Sequence, residues 1–368
     1  MLKRVADYAA MARRVSVEHG IPVIQQAFDI LHLARKTGRI GPGDYFTYRL
    51  FDKLLGQAEK EEFVGWKAES RLDALNDRAW HCLGLDKVLT YSLLRANSIR
   101  IPETRAIYLL NQIRPLGGAV SLNTTTALHS WLRTSENYPF FSKPSASGFA
   151  RGAFLAECYD SQRDRVVFRG GSSIEVEAFY REFHDLEKLG YLFQTPIRTD
   201  PRLAATLGAT VTSLRMMVLC DETQEPTLHR AFWKLPVSSN FHDNYNGGLS
   251  GNLAAAIDPQ TGQITRVING TGLDIVEIES HPDTGANLKT LFVPDWLEVL
   301  NFTLKAARTL PKLRFQQWDI ALSADGPVAL EVNLFSTGGS ELTQMLYRRG
   351  LLDATMKSFL ARHEPALP

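Results

Sequence analysis

Asp319 and Glu331 are the two residues best placed to do chemistry together. They lie in QWDIALSADGPVALEVN, residues 317–333. Trp318, Ile320 and Leu322 alternate with Gln317, Asp319, Ala321 and Ser323. After the turn, Val328, Leu330 and Val332 alternate with Ala329, Glu331 and Asn333. Each half therefore reads as a strand with one apolar and one polar face. A three-residue loop, Ala324–Gly326, places glycine where positive φ is wanted. Asp319 then falls opposite Glu331, and Gln317 opposite Asn333. Carboxylates about 5 Å apart repel by roughly 3 kcal/mol at an effective dielectric of about 20. A hard divalent cation on Asp319, Glu331 and the amide oxygen of Asn333 removes that cost. Magnesium suits such a set, because it takes few protein oxygens and completes its shell with phosphates. Two alternatives stay open: a solvated polar face, and a two-residue turn, which puts the carboxylates on opposite faces.

The hairpin needs a scaffold. Residues 1–85 are rich in Ala, Leu, Arg, Lys and Glu at helical spacing, broken by a loop at Gly38–Asp44. A helix is expected over Asp86–Asn97, and a turn then a strand over Ile99–Leu110. Short strands are expected near 140–143, 153–159, 165–168 and 192–197. A strand pair is expected at 211–220 and 228–234. Helices are expected at 294–310 and beyond 341. This is an α+β order with a helical N-terminal part.

Composition narrows the classes. Of 368 residues, 44% are hydrophobic and 22% charged, enough for a sizeable core. Net charge is +1, from 41 basic and 40 acidic residues, so no nucleic acid or anionic surface is called for as a partner. Cys82, Cys158 and Cys220 are odd in number and far apart, which argues for small buried thiols rather than disulfides or zinc. No apolar run is long enough for a membrane span, and the first twenty residues lack a secretory apolar core. A cytoplasmic protein is expected.

Seven segments together resemble the ATP-grasp superfamily, nearest its sugar-transfer-associated branch. They are LDKVLTYSLLRANSIRIPET, FFSKPSASGFARG, LFQTPI, TVTSLRMMVL, HDNYNGGLSGNLAAAIDPQTGQI, ESHPDTG and QWDIALSADGPVALEVN, with a weaker likeness in GPGDYFTYRLFD. No single segment is specific; their number, order and spacing carry the resemblance. It implies two α+β subdomains clasping ATP. The implied divisions are a helical region (1–85), the N-terminal part of the core (86–125), a lid (126–195) and a C-terminal core with the metal site (196–368).

The resemblance also assigns roles. Lys87 and Lys143 would hold phosphates, and the loop with Ser147 and Gly148 would offer backbone N–H groups. Gln194, Thr195 and Ile197 match the hinge that meets adenine. Arg215, mid-strand among apolar neighbours, would meet the transferring phosphoryl group, with a structural ion pair as its alternative. Lys234 is a weaker candidate for the same task. Asn244, with Gly247 and Gly248, would line the substrate end. His281 is read as holding its loop. For Lys87 the alternative is a surface lysine, and for the glycine pair a tight loop without ligand.

The activity so implied is ligation of a carboxylate to an amine, or to a thiol, through an acyl phosphate, using ATP and Mg2+. Small-molecule acids and amines would be the partners, with a cell-surface polysaccharide or a secondary metabolite as the implied destination. A phosphotransferase on the same fold is the alternative. A non-catalytic nucleotide-binding module is a third, disfavoured by the metal triad.

Overall fold

The computed structural model describes residues 2–146, 152–182, 190–222, 225–237, 240–334 and 339–363. Within these residues, two seven-stranded sheets carry the fold. The first contains β1 (Thr104–Tyr108), β2 (Val120–Leu122), β3 (Phe140–Pro144), β4 (Phe154–Asp160), β5 (Arg165–Phe168), β6 (Ser173–Glu175) and β7 (Tyr191–Gln194). Their order is β2-β1-β7-β3-β4-β5-β6. The second contains β8 (Ser213–Leu219), β9 (Thr227–Leu235), β10 (Leu253–Ile257), β11 (Ile264–Asn269), β12 (Val276–Glu277), β13 (Phe315–Ser323) and β14 (Gly326–Asn333). Their order is β12-β11-β10-β9-β8-β13-β14. Among these neighbours, β1 and β2 run parallel.

Alternation along the second sheet's central strands sorts their side chains. Leu214, Met216 and Val218 of β8 join Trp233 and Leu235 of β9 and Trp318, Ile320 and Leu322 of β13 in one core. Val299, Ala306 and Ala307 of the helix Trp296–Arg308 pack against it. On the opposite face the strands divide along their length. Met217, Leu219 and Phe315 pack under Val64, Leu72 and the C-terminal helix residues Met356 and Phe359. Phe232, Ala254 and Ala256 pack under Tyr45, Phe46 and Leu342. The N-terminal helices thus cover one end of that face. Arg215, Lys234 and Asp319, on the same face, line a cleft instead. The first sheet supplies the other wall, with its own aromatic core of Trp131, Phe140, Phe154, Phe179 and Phe193.

Local chemistry starts the helices where the cleft needs them. Asp86 caps Lys87–Ala96 by accepting from Val88 N–H at 2.9 Å, which sets Lys87 at the first helical position. Asp200 caps Pro201–Leu207, with proline at the first position. Two expectations need correction. Gly38–Asp44 is not all loop, because a helix begins at Pro42 and Asp44 accepts from Gly41 N–H at 2.7 Å. Cys220 is buried as expected, but Cys82 and Cys158 are exposed. Among the described residues no helix is long and apolar enough to cross a membrane.

Candidate active site

The hairpin reaches the expected facing by an unexpected route. Its turn has two residues, since Ser323 pairs with Gly326. That register alone would put Asp319 and Glu331 on opposite faces. A bulge corrects it: Ile320 pairs with Ala329 but Asp319 with Glu331, leaving Leu330 extra. Asp319 and Glu331 are therefore cross-strand partners, as are Gln317 and Asn333. The expected alternation on β14 is overturned in the same way. Ala329 and Val332 enter the core, while Leu330 turns to the cleft. The carbonyl freed by the bulge accepts from Tyr91 Oη at 2.6 Å and lies 3.5 Å from Lys143 Nζ. Tyr91→Phe is expected to lower stability by about 1 kcal/mol, one buried hydrogen bond. A urea denaturation midpoint equal to wild type would show that the bulge is held by other means.

Strand order places charges in a row. Arg215 on β8 pairs in register with Asp319 on β13, which pairs with Glu331 on β14. Arg215 Nε lies 2.5 Å from Asp319 Oδ1, and Nη2 lies 3.1 Å from Oδ2. Lys234 Nζ reaches the same Oδ2 at 3.2 Å. Lys87 Nζ closes the other end, 3.3 Å from Glu331 Oε2. Asn333 Nδ2 is 3.4 Å from Glu331 Oε1. Burial alone would raise the Asp319 carboxyl, but Arg215 and Lys234 outweigh it and hold it at about 2. Burial would likewise lower Arg215, yet Asp319 keeps it above its ordinary value. Burial lowers the Lys143 ammonium, against the pull of Glu331 and Asp319.

These groups line one cavity of about 1160 Å3 between the two sheets. Lys87, Lys143, Gln194, Thr195, Ile197, Arg215, Lys234, Asn244, Asp319, Glu331 and Asn333 all face it. Ser147 and Gly148 lie outside the described residues. Gln194 is 1% exposed, and its Nε2 donates to Thr104 at 3.0 Å. Thr195 N–H is spent on Glu103 O at 2.9 Å, so it is not a free donor. Gly247 lines the cavity at φ 61°. Gly248 answers a packing need, since a Cβ there would meet Gly270 N at 2.5 Å. His281 is buried, with Nε2 2.9 Å from Pro236 O, and serves its loop.

Asp319, Glu331 and Asn333 offer oxygen donors only, side by side on one wall. That set fits a hard divalent cation. Among the described residues no three His, Cys, Asp or Glu side chains form a cage, so such an ion would depend on oxygens from a bound molecule. Among the cavity residues given no role by the sequence are Asp243 and Glu341. Asp243 entered only as part of the segment HDNYNGGLSG, and it lies in an irregular stretch, where periodicity carries no signal. Glu341 lies in the first turn of the helix Gly339–Tyr347 and lines the cavity.

Two facing sheets around a charged cavity, each with helices on its outer side, are an ATP-grasp arrangement. The chain belongs to the sugar-transfer associated ATP-grasp family, whose sequence model matches residues 69–358. No curated protein matches its sequence. Solved structures similar to it include biotin carboxylase from Campylobacter jejuni, at 11% identity and TM-score 0.47, covering 83% of this chain and 54% of that one. VanG D-Ala:D-Ser ligase from Enterococcus faecalis aligns at 14% identity and TM-score 0.43, covering 77% and 64%. L-amino acid ligase from Bacillus licheniformis aligns at 13% identity and TM-score 0.38, covering 78% and 52%. The chain spans about half the length of the first of these.

Proposed function

We propose that the protein is an ATP- and magnesium-dependent ligase joining a small carboxylic acid to an amine through an acyl phosphate. The observation that carries this reading is the row Arg215–Asp319–Glu331–Lys87 with Lys234 beside it, faced by Lys143 from the other sheet, all lining one cavity. Such a site gathers cations for polyphosphate around oxygen donors for a metal. Lys87 and Lys143 would hold ATP phosphates, and Thr195 and Ile197 would border the adenine. The substrate carboxylate attacks the γ-phosphorus and ADP leaves. The amine then attacks the acyl carbon, releasing phosphate. Arg215 and Lys234 would neutralise charge on the transferring group, where oriented cations are worth most. Magnesium, when bound, would be held by Asp319, Glu331 and the Asn333 oxygen and would offset phosphate charge. A role in making a surface polysaccharide or a secondary metabolite rests on the family name alone.

The test is a screen of acid and amine pairs for ADP release, with mass spectrometry of the product. An amide with free phosphate supports the reading. Phosphate left on the acceptor would make the protein a phosphotransferase, and ATP binding without turnover for any pair would make it a binding module.

The ion pairs carry a prediction of their own. Both carboxylates already have protein cations, so a free divalent ion must displace them, whereas nucleotide phosphates draw those cations away. Manganese is therefore expected to bind together with ATP and not alone, read by electron paramagnetic resonance. Equal manganese affinity with and without ATP would contradict this coupling.

A further inference from the structure

We propose that Asp243 is the catalytic base of the ligation step, receiving the acceptor amine as its ammonium and taking one proton from it. This rests on the ligase reading above. Lys234 stands between two carboxylates, 3.2 Å from Asp319 Oδ2 and 3.9 Å from Asp243 Oδ1. Asp319 belongs to the phosphate pole, with both oxygens committed to Arg215. Asp243 is on the other side of Lys234, in the cavity wall. One of its oxygens accepts from Ser213 Oγ at 2.5 Å, while Lys234 is beyond hydrogen-bond reach of the other.

The segment that carries Asp243 has no regular structure, yet it is pinned. Asn252 is 0% exposed. Its Nδ2 donates to His242 O and Asn244 O, both at 3.0 Å, the carbonyls on either side of Asp243. Its Oδ1 accepts from Val237 N–H at 2.9 Å and from Asn240 Nδ2 at 2.8 Å. One buried amide thus fixes the backbone around a single carboxylate, the support a reacting group requires.

Lys87, Lys143, Arg215 and Lys234 gather around the carboxylate row. Outside it, the lining holds the carboxylates Asp243, Glu157 and Glu341 and the cations Arg169 and Arg198. Asp243 is the carboxylate that adjoins the row through Lys234, where a cationic acceptor would lie beside an acyl phosphate. Burial pushes the Asp243 carboxyl up, against Lys234 and Ser213, which brings it nearer the range of a useful base. The charged and titratable groups around it are Lys234 from β9, Arg215 from β8, Asp319 from β13 and its neighbour His242. His242 spends Nδ1 on Asn244 N–H at 3.3 Å.

The step balances. Asp243 accepts one ammonium proton, and the free amine attacks the acyl carbon. The C–N bond forms and the C–O bond to phosphate breaks. The second N–H proton leaves with the phosphate, and Asp243 returns its proton to water.

The experiment compares two nucleophiles on Asp243→Asn, using the acid and amine found by the screen. Hydroxylamine is unprotonated at neutral pH and needs no base. Amide formation is expected to fall about 100-fold or more, the worth of a positioned base. Hydroxamate formation should fall less than about tenfold, with the same melting temperature and ATP affinity as wild type. Equal losses with both nucleophiles would reduce Asp243 to a structural partner of Lys234 and overturn the proposal. So would an unaffected amide rate, or the same split in His242→Gln and not in Asp243→Asn. If wild type forms neither product from any acid, the ligase reading fails first and takes this one with it.

Discussion

Asp319→Asn is expected to cost about 3 kcal/mol of stability and to lower turnover about 100-fold or more. Asp319 is 4% exposed and touches both Arg215 and Lys234. An amide keeps its shape but leaves two cations facing each other with less counter-charge. Removing one partner of a buried ion pair costs about 3–5 kcal/mol. The lower end applies, because Glu331 and Asp243 still act on Arg215. The pH dependence follows from the same contacts. Burial works against the carboxylate, but the cations hold its folded value at about 2, below the ordinary 3.8. A depressed carboxyl contributes stability that is present above the unfolded value and lost as pH falls through the folded one. Wild type should therefore lose this contribution between about pH 4 and pH 2, and Asp319→Asn should not. Urea denaturation of both proteins across that range decides it. Identical midpoints and acid profiles would mean that the row contributes nothing to folding.

Arg215→Ala is expected to lower the single-turnover rate about 100- to 1000-fold, with a smaller change in nucleotide affinity. Lys143→Ala should do the reverse, weakening ATP binding about tenfold with a smaller effect on rate. The two cations are held differently. Arg215 is fixed by two hydrogen bonds to Asp319, so it is already aimed where charge would develop on a transferring group. Lys143 has a carbonyl and the Tyr91 ring, 5.6 Å away, as neighbours, and burial disfavours its charge. A phosphate would relieve that cost in the ground state, which appears as affinity. Calorimetry with Mg-ATP and rapid-quench single turnovers separate the two. Equal rises in dissociation constant with unchanged rates would contradict this division.

Two carboxylates facing each other alone would make Glu331→Gln stabilise the metal-free protein, by removing their repulsion. The row of alternating partners changes that. Glu331 has Lys87 at 3.3 Å, so Glu331→Gln loses an ion pair as well as a repulsion. No gain in stability is expected from it.

Much of the scaffold was legible because local physics writes it. The helix expected over Asp86–Asn97 and the strand expected over 165–168 both stand where they were read. The central strands announced one apolar face each. β10 went unread for the converse reason. In LAAAI all five residues are buried, with Leu253, Ala255 and Ile257 in one core and Ala254 and Ala256 in another. A strand covered on both faces has no polar alternation to see.

The sequence by itself determined which side chains are chemically capable and that both halves of the hairpin are strands, since alternation and turn residues act over a few positions. Asp319 and Glu331 were named that way, whereas Arg215, Lys234, Lys87 and Lys143 came from the family resemblance; all six line one cavity. Only the tertiary structure decided who meets whom. Arg215 and Asp319 are 104 residues apart and pair because β8 lies beside β13. Even the facing of Asp319 and Glu331 rests on a bulge whose freed carbonyl is taken by Tyr91, 239 residues away in sequence. Such contacts depend on strand order and on helices docked across the sheet. A window of neighbouring residues carries no record of either, because the partners that stabilise them are distant in the chain.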